Sequence, residues 1–299
     1  MTRSMRLQQL IDLARERGPK RVVAIWPHDE DVLAVLSEAT RLGLSRVTVV
    51  GLPSLMAGLC GEPFECIEVE DAPAAISAAV RLVRDGNADL LINGLAAPDE
   101  VFRQVLDKNT GLRTGGRLSA VSVLDAPRYE RWLLLADTGL AISPELEDKA
   151  AIIQNAVNVA HVLGVAKPRV ALLAATEMVN PKAPTSLHAA ELSKMAQRGQ
   201  IRGCVVDGPL ALDNAVSPES AQIKGIVSDV AGWADILIGP DLETSNILMR
   251  AATHLASVTT ATVVVGGRCP LAMPSWSDTA ESRLASLALA TCLSASVPS

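Results

Sequence analysis

Short apolar runs alternate with longer amphipathic stretches from one end of the chain to the other. Positions 21–26, 46–51, 88–93, 119–124, 132–137, 169–175, 203–207, 234–238 and 261–265 carry the strand pattern. Each is rich in β-branched residues or Leu and ends near Gly, Pro or Asp. Between most of them the apolar residues recur every three to four positions, the period of a helix with one buried face. Leu7, Leu10, Ile11 and Ala14 form one such stripe, Ile76, Val80 and Val83 a second, and Ile153, Val157 and Ala160 a third. Helix starts are signalled at Ser143-Pro144 and at Ser217-Pro218-Glu219, where a capping hydroxyl precedes a first-turn proline and acidic residues follow. Strand–helix alternation with near-continuous apolar strands predicts an α/β protein with mainly parallel sheets covered on both faces. Residues 51–63 read as a surface loop, and no linker separates two halves. The passage from strand to helix near residues 141–143 marks the expected boundary between two domains sharing a cleft, one of residues 1–140 with 276–299 and one of 141–275.

Composition narrows the class. Over 299 residues, 49% are hydrophobic, which supplies a core and excludes a disordered chain. Aromatics are only 2%, so base-stacking surfaces are not expected. Lys and Arg number 27 against 33 Asp and Glu, a net charge of −6 that disfavours nucleic acid and anionic membrane as partners. No apolar run approaches a membrane span, and the charged, amphipathic first residues do not read as a secretion signal. The five cysteines show no CxxC and the four histidines no ligand spacing, so free thiols in a cytoplasmic protein and no metal site are expected.

Four polar clusters stand out as candidate chemistry. Residues 206–215 (VDGPLALDNA) follow a strand, where open α/β sheets bind ligands. There Gly208 would let the backbone approach a ligand, Pro209 would set the turn, and Asp207, Asp213 and Asn214 would offer polar contacts; an ordinary capped turn has the same composition. Residues 239–246 place Asp241 as a helix cap and Asn246 where it is free for a ligand. Residues 274–283 (PSWSDTAESR) set Ser275 and Ser277 before the last helix, an arrangement suited to an anion, although Ser277 or Asp278 would equally cap that helix. Residues 107–117 (DKNTGLRTGGR) form a glycine-rich basic patch in which Arg113 and Arg117 suit phosphate groups, without any nucleotide-binding fingerprint.

Taken together with 175–182 (ATEMVNPK), 195–201 (MAQRGQI), 207–215, 234–246 and 275–290, the chain resembles the phosphate acetyl/butyryltransferase family, more closely its butyryl branch. The resemblance covers nearly the whole sequence and is weakest over the first 85 residues or so. It implies two α/β domains of the isocitrate/isopropylmalate dehydrogenase type, with the C-terminal helix returning to the first domain. It implies acyl transfer between coenzyme A and inorganic phosphate, with no cofactor beyond coenzyme A as substrate, no metal, and a homodimer. Matching positions make Ser275 the family's site serine. Asp278 matches its motif aspartate and Glu281 the region of the base proposed for the acetyl branch, so the base stands open between Asp278 and Glu281. A carboxylate there would take the proton of the coenzyme A thiol, whose free pKa is about 8.5. The family arginine after the serine is Trp276 here, and a Lys-Gly of the branch reads Asn93-Gly94, while Gly267-Arg268-Cys269-Pro270 keeps a family segment closely. Losing a bidentate phosphate donor is worth about 1.5–3 kcal/mol. The expectation is therefore a transferase for a short acyl group that is weak or altered in substrate, with a non-catalytic acyl-CoA- or acyl-phosphate-binding relative as the alternative. A dehydrogenase would need a nucleotide motif and clustered metal ligands, neither of which the sequence displays.

Overall fold

A computed structural model describes residues 5–56 and 63–294. The chain enters with α1 (Met5–Arg17), β1 (Lys20–Ile25), α2 (Glu30–Arg41), β2 (Ser45–Gly51), α3 (Pro53–Met56), β3 (Phe64–Glu68), α4 (Ala72–Arg84), β4 (Leu90–Asn93) and α5 (Pro98–Val105). It continues with β5 (Ser119–Asp125), β6 (Leu133–Ala136), α6 (Leu146–Val162), β7 (Arg169–Leu173), α7 (Pro184–Gln197), β8 (Val205–Leu210), α8 (Leu212–Val216), α9 (Pro218–Ile223), β9 (Ile236–Ile238) and α10 (Leu242–Ala256). It closes with β10 (Thr259–Val265), β11 (Leu271–Ala272) and α11 (Ala280–Ser294). Two compact units result, Met1–Gly116 with Thr260–Ser299 and Arg117–Thr259. Both breaks thus lie ahead of the 140/141 and 275/276 positions read from the sequence. β6 runs parallel to β9 in the second unit, and β11 runs parallel to β4 in the first, which draws these segments to their sides.

In the first unit the strand order is β3-β2-β1-β4-β11-β10, parallel except for the β10/β11 pair. The three amphipathic stripes read from the sequence are buried, as Ile11 and Ala14 of α1 illustrate at 0% exposure. Helix α11 is buried from Ser282 through Leu293, and its serines have a backbone task. Ser282 Oγ accepts the Thr260 N–H at 3.1 Å and Ser286 Oγ accepts the Thr262 N–H at 2.9 Å. Hydroxyls in a buried helix are thereby satisfied, and so are two amides of β10.

In the second unit the order is β5-β6-β9-β7-β8, with only β5 and β6 antiparallel. Caps at Asp241 and Ser217 form as read, their side chains accepting from Thr244 and Ser220 N–H. The start of α6 differs: Glu145 takes the cap position and forms a reciprocal capping box with Asp148, two residues beyond Ser143. Two strands escaped the sequence reading. β3 is largely polar in pattern and forms only because β2 offers it a parallel edge, and β11 is two residues long. Among the cysteines, Cys204, Cys269 and Cys292 are free as expected, whereas Cys66 is disulfide-bonded; Cys60 lies outside the described residues. No helix among the described residues is long and apolar enough to cross a membrane.

Candidate active site

Ser275 is held in a tight turn just after β11. Its N–H donates to Asp278 Oδ2 at 2.8 Å, and the Asp278 N–H donates back to the Ser275 carbonyl at 3.0 Å. Asp278 is 9% exposed and braces the turn; it is not the helix cap. Thr279 Oγ1 caps α11 instead, accepting the Ser282 N–H at 3.2 Å. The Ser275 and Ser277 hydroxyls lie 3.2 Å apart, which places two small donors on one exposed rim. Glu281, in the first turn of α11, is less buried than Asp278.

Trp276 projects from this turn with 53% of its surface exposed. Its carbonyl is gripped by Arg283, whose Nη2 donates at 2.8 Å. Arg283 is 8% exposed and its Nη1 also reaches Asp29 Oδ1 at 3.3 Å. Asp29 in turn caps α2 by accepting the Val32 N–H at 3.0 Å. One guanidinium therefore ties the serine turn to the start of α2. The space they enclose, about 280 Å³, is walled by Val32 and Val35 of α2, by Ile92 and Pro274, and by Asn93 and Gly94 at the carboxyl end of β4. The backbone beneath is tightly apposed: a Cβ on Gly94 would fall 2.6 Å from Pro27 Cα and 2.7 Å from the Trp26 carbonyl. Trp26 itself adopts φ of 51°, a left-handed conformation uncommon outside glycine. Arg113 belongs to the same unit, where it is exposed and its backbone bridges antiparallel to Gly267.

The second unit carries the 206–215 segment, and the structure reassigns its residues. Asp207, Gly208 and Pro209 lie within β8 and not in a loop after it. Gly208 makes a close approach to protein: a Cβ there would meet Leu172 Cβ at 2.7 Å and the Leu172 carbonyl at 2.8 Å on β7. Its peptide bond to Pro209 is cis, and its N–H donates to Asp207 Oδ1 at 2.8 Å. Asp213 and Asn214, just beyond, join a network that the sequence reading did not assemble. Asn214 Nδ2 and Lys224 Nζ both donate to Glu177 Oε1, and Lys224 also pairs with Asp213 at 3.0 Å. The Lys224 ammonium holds the Glu177 and Asp213 carboxyls below the usual carboxylate range. Asn246 stands in a separate contact, donating from Nδ2 to the Thr138 carbonyl at 3.2 Å. Arg117 is paired with Asp148 at 2.5 Å, so this half of the basic patch is already engaged by a carboxylate.

The second unit has a further recess of about 210 Å³ near the carboxyl ends of β7 and β9. Lys149 of α6, 6% exposed, lies there with Nζ 3.2 Å from His188 Nδ1. Burial lowers the Lys149 pKa from its ordinary value. Burial likewise pushes the Cys269 and Cys292 thiols up to about 12 and Cys204 to about 11, keeping them protonated and unreactive. Among the described residues no group of three or more His, Cys, Asp or Glu is gathered to hold a metal ion. Glu177 had a sequence signal in the 175–182 segment; Lys224 and Arg283 had none as site residues, since their roles arise from pairings across 47 and 254 positions.

Comparison with known proteins gives one coherent result. A family model described as phosphate acetyl/butaryl transferase matches residues 67–291. The phosphate acetyltransferase of Thermotoga maritima is 41% identical over 290 residues, covering 95% of this chain and 98% of that protein. The phosphate butyryltransferase of Clostridium acetobutylicum is 38% identical over 288 residues, covering 94% and 96%. A solved branched-chain phosphotransacylase from Enterococcus faecalis superposes with a TM-score of 0.81 at 27% identity, over 92% of this chain and 99% of that one.

Proposed function

The chain belongs to the phosphate acetyl/butaryl transferase family, and from that premise we propose that it moves a short acyl group between coenzyme A and inorganic phosphate, with a phosphate site altered by Trp276. In the forward direction a phosphate oxygen attacks the thioester carbonyl, the carbon–sulfur bond breaks, and coenzyme A leaves as a thiolate that takes up a proton. In reverse, a carboxylate removes the thiol proton and the thiolate displaces phosphate from the acyl phosphate. Ser275 is the donor to the developing oxyanion or to phosphate, with Ser277 beside it. Asp278 or Glu281 carries the proton; the Asp278 carboxylate already orders the turn through the Ser275 N–H. Asp213, Asn214, Asn246, Arg113 and Arg117 are the remaining candidates for substrate contacts.

The observation that carries this reading is the braced serine turn on the rim of an aliphatic-walled pocket, within a chain about 40% identical to named transferases. The acetyl- and butyryl-transferring relatives match almost equally well, so chain length rests on the pocket and not on kinship. A second reading, a binding relative without turnover, is favoured by the exposed indole at the position of the family arginine. A thiol-release assay separates the two. The protein is given phosphate and a C2–C6 acyl-CoA panel, and free coenzyme A is followed over time. Sustained turnover on any member supports the transferase; a melting-temperature rise with coenzyme A in EDTA but no turnover selects the binding relative.

A further inference from the structure

Asn93 ends β4 inside the serine pocket and is 2% exposed. Its Nδ2 donates to the Ala96 carbonyl at 2.9 Å. That bond fixes which way the amide faces, because the opposite assignment would set two acceptors against each other. The other end of the amide is the feature of interest. Asn93 Oδ1 is buried and accepts no hydrogen bond from any described residue. A buried amide oxygen left bare is unfavourable, and natural proteins rarely leave one without a reason.

The walls around it are mostly aliphatic, supplied by Val32, Val35, Ile92 and Pro274. Arg283, the one cation lining the pocket among the described residues, is turned to Asp29 and to the Trp276 carbonyl. The strand end carrying Asn93 has little freedom to move, since Gly94 presses on the backbone of Trp26 and Pro27 without room for a Cβ. A rigid acceptor among apolar walls discriminates in one direction. It rewards a ligand bearing an O–H or N–H donor and penalises the same ligand without one.

Building on the transferase reading above, we infer that this pocket is the acyl subsite and that Asn93 selects a short hydroxyacyl group, its hydroxyl donating to Oδ1. The chemistry is unchanged: phosphate oxygen bonds to the hydroxyacyl carbonyl carbon, the carbon–sulfur bond breaks, and coenzyme A leaves with a proton, giving a hydroxyacyl phosphate. The pantetheine arm of coenzyme A offers amide N–H donors of the same kind, so the test separates the two sources.

Purified full-length protein is assayed with phosphate and butyryl-CoA or its 2-, 3- and 4-hydroxy derivatives, and equilibrium binding is measured for the same compounds and for free coenzyme A. At least one hydroxylated isomer is expected to exceed butyryl-CoA by about tenfold or more in kcat/KM and in affinity. Asn93→Leu, close in size but without the acceptor, should abolish or invert that ratio, while Asn93→Asp, which keeps an acceptor, should retain it. Circular dichroism and melting temperature report whether each variant is folded. If butyryl-CoA equals or exceeds all three isomers with the parent protein, the inference is overturned even if no variant folds. It is equally overturned if Asn93→Leu weakens coenzyme A and every acyl-CoA alike and leaves the ratio intact, for then the acceptor serves the pantetheine arm. Preferential binding of a hydroxyacyl-CoA without turnover would sustain the inference while refuting the transferase reading.

Discussion

Replacing Trp276 by Arg tests whether the indole has weakened a phosphate site. The turn that carries the residue should survive the change, because it depends on backbone groups. Asp278 holds the Ser275 N–H at 2.8 Å and Arg283 holds the carbonyl of residue 276, also at 2.8 Å. The Trp276 side chain is 53% exposed, so about half of its surface, roughly 100 Å², is buried. At about 25 cal/mol per Å² that is an upper limit of about 2.5 kcal/mol, and the aliphatic stem of arginine recovers part of it. A net loss of about 1 kcal/mol should lower Tm by roughly 2–4 °C. The new guanidinium would gain a charge-assisted contact to phosphate of about 1.5–3 kcal/mol, or roughly 10–100-fold in kcat/KM for phosphate. Repulsion from Arg283 is moderated by Asp29, 3.3 Å from that guanidinium. The assay is phosphate-dependent release of coenzyme A at sub-saturating phosphate, read beside the melting curve. A Tm within a few degrees of the parent and no rise in phosphate kcat/KM would refute the reasoning. Loss of an existing activity with no gain on phosphate would show that Trp276 serves another acceptor.

Ser275→Ala should lower acyl transfer by about tenfold or more with Tm preserved, since only an exposed hydroxyl is removed; unchanged kinetics would take Ser275 out of the mechanism. Gly208→Ala should destabilise the second unit by about 1–3 kcal/mol, because its Cβ would lie 2.7 Å from Leu172 Cβ; a melt superimposable on the parent would show that β7 and β8 separate readily. Lys149→Met should raise stability at pH 7 by about 1 kcal/mol or more, since a buried ammonium is replaced by an apolar side chain of similar length. The sign with pH follows from the lowered Lys149 pKa. Between the folded value and the ordinary lysine value the unfolded chain binds more protons, so the parent gains stability as pH rises and the difference from Met should narrow towards pH 10. Melts of both proteins at pH 7 and pH 10 that show a constant difference would contradict it.

Much of this protein was legible before any coordinates, and for a local reason. The strand runs end at backbone-special residues, the helical stripes repeat with their own period, and caps such as Asp241 and Ser217 act on amides three residues away. Such signals need only neighbours in sequence, so the α/β class, most of the elements and the serine segment were already visible. What remained hidden depends on partners far along the chain. β3 exists because β2 lies beside it, Gly208 answers to Leu172, and Lys224 gathers Glu177 and Asp213 into one network. Asn93 is the sharpest instance, since its sequence context marks only a departure from a Lys-Gly pattern. Folding buries its amide, commits Nδ2 to Ala96 and leaves Oδ1 bare beside Ser275. Whether a polar atom is satisfied depends on every atom that packs around it, which only the tertiary structure decides.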